Sequence, residues 1–216
     1  MIKLDIFSDP VCPWCYIGKA NLEKALRDAG DHPFVIEFHP FELNPGLPKE
    51  GVDLASYFKG RMGSDEAVAR AHETVAERAR EAGLEIVRKP GAVLPNTFDA
   101  HRLIHWAGQD GKQMAMVDAL FKANFVDGLN IGDHEVLADL AASIGMERAP
   151  ILRLLQSDAD CENIEDRLDH SRRMGVRSVP AFIVGNRHAV QGAQPADLWA
   201  KVIAELNEKL AGEEQE

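Results

Sequence analysis

The chain has 216 residues, of which 45% are hydrophobic, and it carries a formal net charge of -11 at pH 7. This length and apolar content suffice to bury a core, and they favour one domain with a large insertion over two full domains. The acidic balance argues against nucleic acid or an anionic membrane surface as a partner, and no apolar run approaches membrane-spanning length. The composition therefore predicts a soluble, cytoplasmic protein.

A Cys-X-X-Cys motif follows the first predicted strand. Residues 2–7 alternate in the manner of a strand, and the apolar positions after residue 16 recur at helical spacing. Cys12 therefore falls at the start of a helix, with Pro13 at the first helical position and Gly30 just past the end. Because the chain has only three cysteines, too few for a structural disulfide framework, this context indicates a redox dithiol in a reducing compartment.

The helix start should give the two thiols different properties. Unpaired N–H groups and a partial positive charge in the first turn favour an anion at the Cys12 sulfur. We therefore expect Cys12 to be exposed and to attack a substrate sulfur. Cys15, one turn further in, should be buried, have the higher pKa and resolve the mixed disulfide. This chemistry requires no metal and no organic cofactor.

Two other interpretations of the motif are half of a zinc site and a pair of inert core cysteines. Zinc needs about four ligands, and no second C-x-x-C or C-x-x-H follows in the sequence. The strand and helix on either side of the motif are those that the redox interpretation requires, so we favour a catalytic dithiol.

The middle of the chain predicts a helical insertion. Residues 34–41 form a second strand by composition, which makes the start a βαβ unit with its ligand-binding edge beside Cys12. Residues 50–156 then predict an inserted, all-helical domain without a strand. The thioredoxin-like remainder would comprise residues 1–49 and 157–216. The predicted helices of the insertion cover residues 65–82, 97–107, 112–125, 133–143 and 151–156.

The sheet pattern resumes near the carboxyl end of the chain. After a helix over residues 159–174, residues 181–184 predict an apolar strand, and Gly185-Asn186 predicts a tight hairpin turn to a strand over 187–190. A last helix over 195–210 precedes an acidic tail, 212–216, that we expect to be disordered. The whole pattern is that of an α/β protein.

These segments resemble DsbA-type oxidoreductases, which have the thioredoxin fold, and the likeness spans the chain. Three segments are more narrowly similar to the FrnE subgroup, whose members are regarded as cytoplasmic thiol-disulfide oxidoreductases: Ser8–Gly18, Phe41–Pro45 and Gly175–Phe182. The resemblance implies that Pro180 is a cis-proline facing the dithiol and that the Val179 backbone is free to pair with a substrate peptide. Substrates would be proteins or small molecules that contain thiols or disulfides.

The same architecture serves 2-hydroxychromene-2-carboxylate isomerases and kappa-class glutathione transferases, which carry serine where this chain has Cys12. The presence of both cysteines favours dithiol exchange, and glutathione-dependent catalysis is the alternative. Glutathione is then a candidate reductant or co-substrate. At Ile6, where several thioredoxin-like proteins place a buried acid, the chain is apolar, and Asp9 is the candidate to replace that acid.

Four further side chains deserve separate interpretations. His101 and His105 lie four residues apart, a spacing that can chelate zinc, but the Glu of an H-E-x-x-H motif is absent, which favours packing or groove-lining roles. Trp14 is expected to shape the approach to Cys12. Cys161 is interpreted as a tolerated cytosolic thiol, with redox sensing or dimer linkage as the alternative. The sequence leaves open whether the protein is a monomer or a homodimer and in which direction it exchanges disulfides.

Overall fold

The structure is a computed structural model that describes residues 1–213. Four strands form its main sheet: β1 Ile2–Ser8, β2 Phe34–Pro40, β5 Ala181–Val184 and β6 His188–Gln191. Two more, β3 Val52–Asp53 and β4 Val93–Leu94, form a separate small sheet. The helices of the described residues are α1 Pro13–Ala29, α2 Leu54–Met62, α3 Asp65–Glu81, α4 Phe98–Gln109, α5 Gln113–Lys122, a π-helical turn Ala123–Asp127, α6 His134–Ser143, α7 Arg148–Leu155, α8 Cys161–Arg173 and α9 Ala196–Glu213.

The main sheet joins the two ends of the chain in the order β2-β1-β5-β6. β1 pairs in parallel with β2 and antiparallel with β5, where Phe7 lies opposite Ala181. β5 and β6 form an antiparallel hairpin whose turn contains Gly185 and Asn186, both at positive φ. The structure confirms the predicted α/β class, the βαβ unit at the start of the chain and the ββα unit near its end.

One part of the core lies between the sheet and the helix pair α1 and α9, which pack against each other. Ile6 and Phe182 are partners in the β1–β5 register and share one face of the sheet. Trp199 of α9 packs edge-on against Phe182 with a centroid separation of 4.8 Å. All three side chains are at most 2% exposed, and burial of each apolar side chain of this size contributes about 1.5–3 kcal/mol.

The insertion is helical except for the β3–β4 pair, so the prediction of a strand-free segment is wrong at this point. Strands of two residues are too short to show an alternating pattern. The close approach of β3 and β4 depends on Gly51, which has a φ of 76°. A Cβ atom at this position would lie 2.6 Å from the Leu94 carbonyl oxygen. Helix α2 was also not predicted individually, because it buries no residue and so shows no apolar stripe. The domain boundaries at 49/50 and 156/157 stay a prediction.

The ends of most predicted helices agree with the structure to within a few residues. Ser64 caps α3, its side chain accepting from the Ala67 N–H. The predicted helix over 112–125 is instead α5 followed by the π-helical turn, which ends at Gly128 with a φ of 63°. Helix α9 extends to Glu213, and the rest of the predicted tail lies outside the described residues.

Substitution of Trp199 tests the packing of α9 on the sheet. Trp199→Ala should lower the free energy of unfolding by about 3–5 kcal/mol because it leaves a large cavity. Trp199→Phe should cost clearly less, since the Nε1 atom has no hydrogen-bond partner among residues 1–213 and a phenyl ring fills most of the space. Urea unfolding of both variants measures this, and equal losses would contradict the assignment.

Candidate active site

The two motif cysteines lie where β1 ends and α1 begins. Cys12 is the N-cap residue of α1, with an extended backbone, and Pro13 occupies the first turn. The Cys15 N–H donates to the Cys12 carbonyl oxygen at 3.1 Å. This hydrogen bond closes a tight turn that brings the side chains of Cys12 and Cys15 onto the same side. Both thiols are free. The helix therefore presents a reduced dithiol at its amino-terminal end.

The expectation that Cys12 is exposed is wrong, because both cysteines are only 2% exposed. The Cys12 thiol lies against the segment before β5 and donates to the Val179 carbonyl oxygen at 3.7 Å. The neighbouring Trp14 is the exposed side chain of the motif, at 36%. Cys12 is therefore covered by contacts that include the Val179 segment and is not open to solvent.

The surroundings of Cys15 oppose its ionisation. Burial raises the pKa of the Cys15 thiol well above its ordinary value, and the hydrogen bond and charge of Cys12 act in the same direction. The backbone N–H of Asp9 and the hydroxyl of Ser8 donate toward the sulfur and partly offset this effect. This upward shift of the pKa agrees with the prediction of a higher pKa for Cys15. Cys15 is therefore a neutral thiol until a base removes its proton.

The opposite wall of the site is the segment before β5. The Val179–Pro180 peptide bond is cis, and the Pro180 carbonyl oxygen accepts the Gly192 N–H at 2.8 Å. Helix α1 approaches this wall at Gly18, where a Cβ atom would lie 3.1 Å from the Pro180 side chain. Gly18 therefore permits the close contact between the helix that carries the cysteines and the loop that carries Val179.

Asp9 is a buried carboxylate at the base of the active-site loop. It is 1% exposed, and its oxygens accept from the backbone N–H groups of Leu43 at 2.7 Å and Val11 at 3.3 Å. Burial raises the pKa of Asp9 to about 7, although these bonds and one from the Thr97 side chain lower it. Asp9 itself contacts the Cys15 sulfur through its backbone N–H and not through its carboxylate. Its proposed replacement of the strand acid therefore stays a prediction.

Two features that the sequence analysis missed hold α1 against the insertion. Lys19, only 2% exposed, pairs with Glu23 and with Asp118 of α5. Tyr16 stacks on Phe121 and Phe125, at centroid separations of 5.2 and 5.4 Å. A charged residue in the apolar pattern of a helix was the available signal for Lys19, since a buried lysine needs a partner.

The structure does not bring the candidate zinc ligands His101 and His105 together. His101 is buried, and its Nε2 donates to the Phe41 carbonyl oxygen at 3.1 Å. Burial lowers the pKa of His101 to about 4. His105 instead accepts from Arg167 at 3.1 Å. Cys161, partly exposed at the start of α8, lines a separate cavity of about 780 Å³ that does not include Cys12 or Cys15.

A polar cluster lies on the β1–β2 part of the sheet, where ligating atoms of Asp5, Glu37 and His39 are within 4.8 Å of one another. This spacing could hold a cation. The ammonium group of Lys3, however, bonds to both carboxylates, at 2.8 and 2.9 Å. Arg167 of α8 also bonds to Glu37 at 3.1 Å, so two cationic side chains balance the two carboxylates.

The fold and the dithiol at the start of α1 together define a thioredoxin-like thiol-disulfide oxidoreductase. Residues 3–204 match the model of the DSBA-like thioredoxin domain. The chain belongs to this family, and it is an oxidoreductase enzyme of the DsbA-like kind. No helix among the described residues is both long and apolar enough to cross a membrane.

Several known proteins are similar over nearly the whole chain. A Streptomyces coelicolor structure described as a "probable DsbA oxidoreductase" is 30% identical with a TM-score of 0.84, covering 95% of this chain and 89% of its own. A 2-hydroxychromene-2-carboxylate isomerase is 16% identical with a TM-score of 0.74, covering 97% and 98%. The cytosolic disulfide reductase DsbM of Pseudomonas aeruginosa, solved with glutathione, is 20% identical with a TM-score of 0.65, covering 97% and 99%.

The raised pKa of Cys15 predicts how the reduced protein reacts with iodoacetamide. An ordinary thiol approaches its full reaction rate near about pH 9, whereas the rate at Cys15 should still be rising there. Short labelling pulses between about pH 6 and about pH 10, read by peptide mass spectrometry, measure the profile. The same protein in urea is the control. A profile for Cys15 that is identical in native and unfolded protein would contradict the prediction.

The raised pKa of Asp9 predicts a pH-dependent stability difference between the wild type and Asp9→Asn. The folded protein retains a proton up to about pH 7, whereas the unfolded chain releases it near about pH 4. Wild-type stability should therefore fall relative to the variant as the pH rises through this window, and the difference should level off above it. Urea unfolding at several pH values tests this, and parallel profiles for the two proteins would argue against it.

Proposed function

We propose that the protein exchanges disulfides through the Cys12–Cys15 pair, with Cys12 as the nucleophile and Cys15 as the resolving thiol. The observation that carries this proposal is the free dithiol at the start of α1, facing the Val179–Pro180 segment, in a DsbA-like chain. Pro13 and Trp14 shape the helix start and the approach to Cys12. The Val179 backbone is proposed to pair with the substrate.

In the reducing direction, the Cys12 thiolate attacks one sulfur of a substrate disulfide. The S–S bond of the substrate breaks, and the leaving sulfur departs as a thiolate that takes up a proton. Cys15 then loses its proton and attacks the Cys12 sulfur of the mixed disulfide. The second substrate thiol leaves, and the protein is oxidised by two electrons to the Cys12–Cys15 disulfide. The oxidising direction is the reverse of these steps.

The burial of Cys15 gives these steps an order. A neutral Cys15 does not compete for the incoming disulfide, because the thiolate is the reactive form. Once Cys12 is covalently occupied, its charge and hydrogen bond, which both raise the pKa of Cys15, are lost. The pKa of Cys15 then falls, and resolution becomes easier only after the mixed disulfide exists.

Glutathione-dependent isomerisation or transfer is the second candidate. It is favoured by the structural likeness to 2-hydroxychromene-2-carboxylate isomerase, and DsbM, solved with glutathione, makes glutathione a candidate partner of either reaction. Membership of the FrnE subgroup and a cytoplasmic location remain parts of this proposal. Reduction of insulin disulfides would support the first candidate, and glutathione-dependent isomerisation of a chromene carboxylate would support the second.

The roles of the three cysteines predict three different variants. Cys12→Ser should abolish exchange, because a serine hydroxyl is not ionised near neutral pH. Cys15→Ser should still attack but stall as a covalent mixed disulfide. Cys161→Ser is the matched control and should behave as the wild type. Insulin reduction, with capture of a disulfide-containing peptide by each variant followed by mass spectrometry, distinguishes them.

Two results would refute this assignment. One is exchange activity that survives in Cys12→Ser. The other is peptide capture that depends on Cys161, which lies outside the dithiol site.

A further inference from the structure

Arg167 connects α8 to β2 and to α4. Its guanidinium donates to Glu37 of β2 at 3.1 Å and to the Nδ1 atom of His105 in α4 at 3.1 Å. A longer contact of 3.4 Å joins it to the Nδ1 atom of His39 in β2. The Arg167 side chain is 26% exposed and lies in an open cleft of about 340 Å³ that both histidines also line. The three contacts of Arg167 therefore lie beside solvent.

The contacts with Arg167 determine the protonation of both histidines. A guanidinium has only donors, so the Nδ1 atoms of His39 and His105 accept and carry no hydrogen. The Nε2 atom of His39 lies 2.6 Å from a carboxylate oxygen of Asp5, to which it donates. By this assignment both rings are neutral, and Nδ1 is the atom that a further proton would occupy.

A proton on either ring would remove a contact between α8 and its neighbours. The new N–H group would face the N–H groups of Arg167, and neither can accept a hydrogen bond from the other. Two positive charges would also be brought together at hydrogen-bond distance. The contacts that Arg167 makes with the two rings therefore exist only while the rings are neutral.

Charged and titratable groups surround the two rings. Burial is the main cause that lowers the pKa of His39 and of His105, and the charge of Arg167 acts in the same direction. Carboxylates beside each ring partly offset this effect. The groups that face the rings or Arg167 are Lys3 and Asp5 of β1, Glu37 of β2, His101 of α4, Asp160 at the start of α8, and Asp166 and His170 of α8. Both rings should therefore take up a proton below about pH 6.5, the ordinary pKa of histidine.

Helix α8 leads into the segment that contacts Cys12. The hydroxyl of Ser171, one turn after Arg167, lies 3.0 Å from the carbonyl oxygen of the last residue of β2. The segment after α8 turns back onto the helix, since the Val176 N–H donates to the Ser171 carbonyl oxygen at 3.2 Å. Three residues further on, the Val179 carbonyl oxygen accepts from the Cys12 thiol. Arg167 is thus one of the side chains that fix the helix from which this segment extends.

We propose that Arg167 is a positioning residue of the dithiol site and that acid releases its hold on α8. While His39 and His105 are neutral, Arg167 fixes α8 to β2 and α4, and the Val179 segment stays against Cys12. When both rings take up protons, one of the three contacts of Arg167 remains and the segment loosens. Cys12 then becomes more accessible. The consequence for disulfide exchange rests on the proposed function, whereas the release of α8 does not.

Amide hydrogen exchange of the reduced full-length protein at about pH 5.5 and about pH 7.5, corrected for intrinsic rates, tests the release. In the wild type, the protection of residues 174–180 should fall about tenfold at the lower pH, because hydrogen bonds from a charged group are lost. The double variant His39→Gln/His105→Gln should keep its protection at both pH values, since a glutamine oxygen accepts from Arg167 and takes up no proton. His170→Gln, at the third histidine of the cleft, is the matched control and should respond as the wild type does.

Titration of the histidine rings by nitrogen NMR gives a readout that a purely structural role of Arg167 would not change. Above about pH 7.5, His39 and His105 should both carry their hydrogen on Nε2. Arg167→Gln should raise the pKa of both rings, because it removes the neighbouring cation. Arg172→Gln, at an exposed arginine of α8 that pairs with Asp169, should leave both pKa values unchanged.

Iodoacetamide labelling of Cys12 connects the release to the dithiol. At about pH 5.5 the wild type should be labelled faster than the double variant, and at about pH 7.5 the two rates should be equal. Labelling needs no disulfide substrate, so failure of this inference is distinct from failure of the insulin assay. The proposal would be overturned by an Nδ1 hydrogen on His39 at neutral pH, by unchanged histidine pKa values in Arg167→Gln, by an acid response that persists in the double variant, or by equal labelling rates at both pH values.

Discussion

The pairing of β1 with β5 is the constraint on which the active site depends. β1 leads into the loop that carries Cys12, and β5 begins one residue after Pro180. Because Phe7 lies opposite Ala181, the start of α1 and the Val179–Pro180 segment meet at the same edge of the sheet. A shift of one residue would exchange the two faces of the strand and bury the wrong side chains. The same register thus fixes both the core and the contact between Cys12 and Val179.

The insertion contributes to the same site from the other side. Asp118 pairs with Lys19 and Phe121 stacks on Tyr16, so α5 packs against the helix that carries the dithiol. The side chain of Thr97, at the start of α4, bonds to Asp9. The helical segment is therefore part of the structure that holds the cysteines in place.

Burial governs the protonation of the site. Cys15 and Asp9 are both almost fully buried, and in both cases desolvation is the main cause of a raised pKa. A group that is held neutral in this way must lose its proton when it reacts or when the pH rises. In the proposed mechanism, disulfide exchange is therefore coupled to proton release at Cys15, and the neighbouring Asp9 changes charge close to neutral pH.

The sequence by itself determined the local features of this protein. Alternation and helical periodicity predicted the strands and helices that frame Cys12, the spacing of the motif predicted a dithiol at a helix start, and the segments around Pro180 carried the family likeness. These features depend on neighbouring residues, which is why they can be read from the chain. Short elements such as β3 and β4, and a helix without a buried face such as α2, gave no comparable pattern.

The tertiary structure decided everything that depends on contacts between distant residues. The hydrogen-bond acceptor of the Cys12 thiol is the carbonyl oxygen of Val179, 167 residues away in the chain. The partner of Lys19 is Asp118, and the pKa of Asp9 depends on Leu43 and Thr97. Burial and electrostatic pairing depend on the environment that folding creates, and that environment is not encoded in any single stretch of sequence.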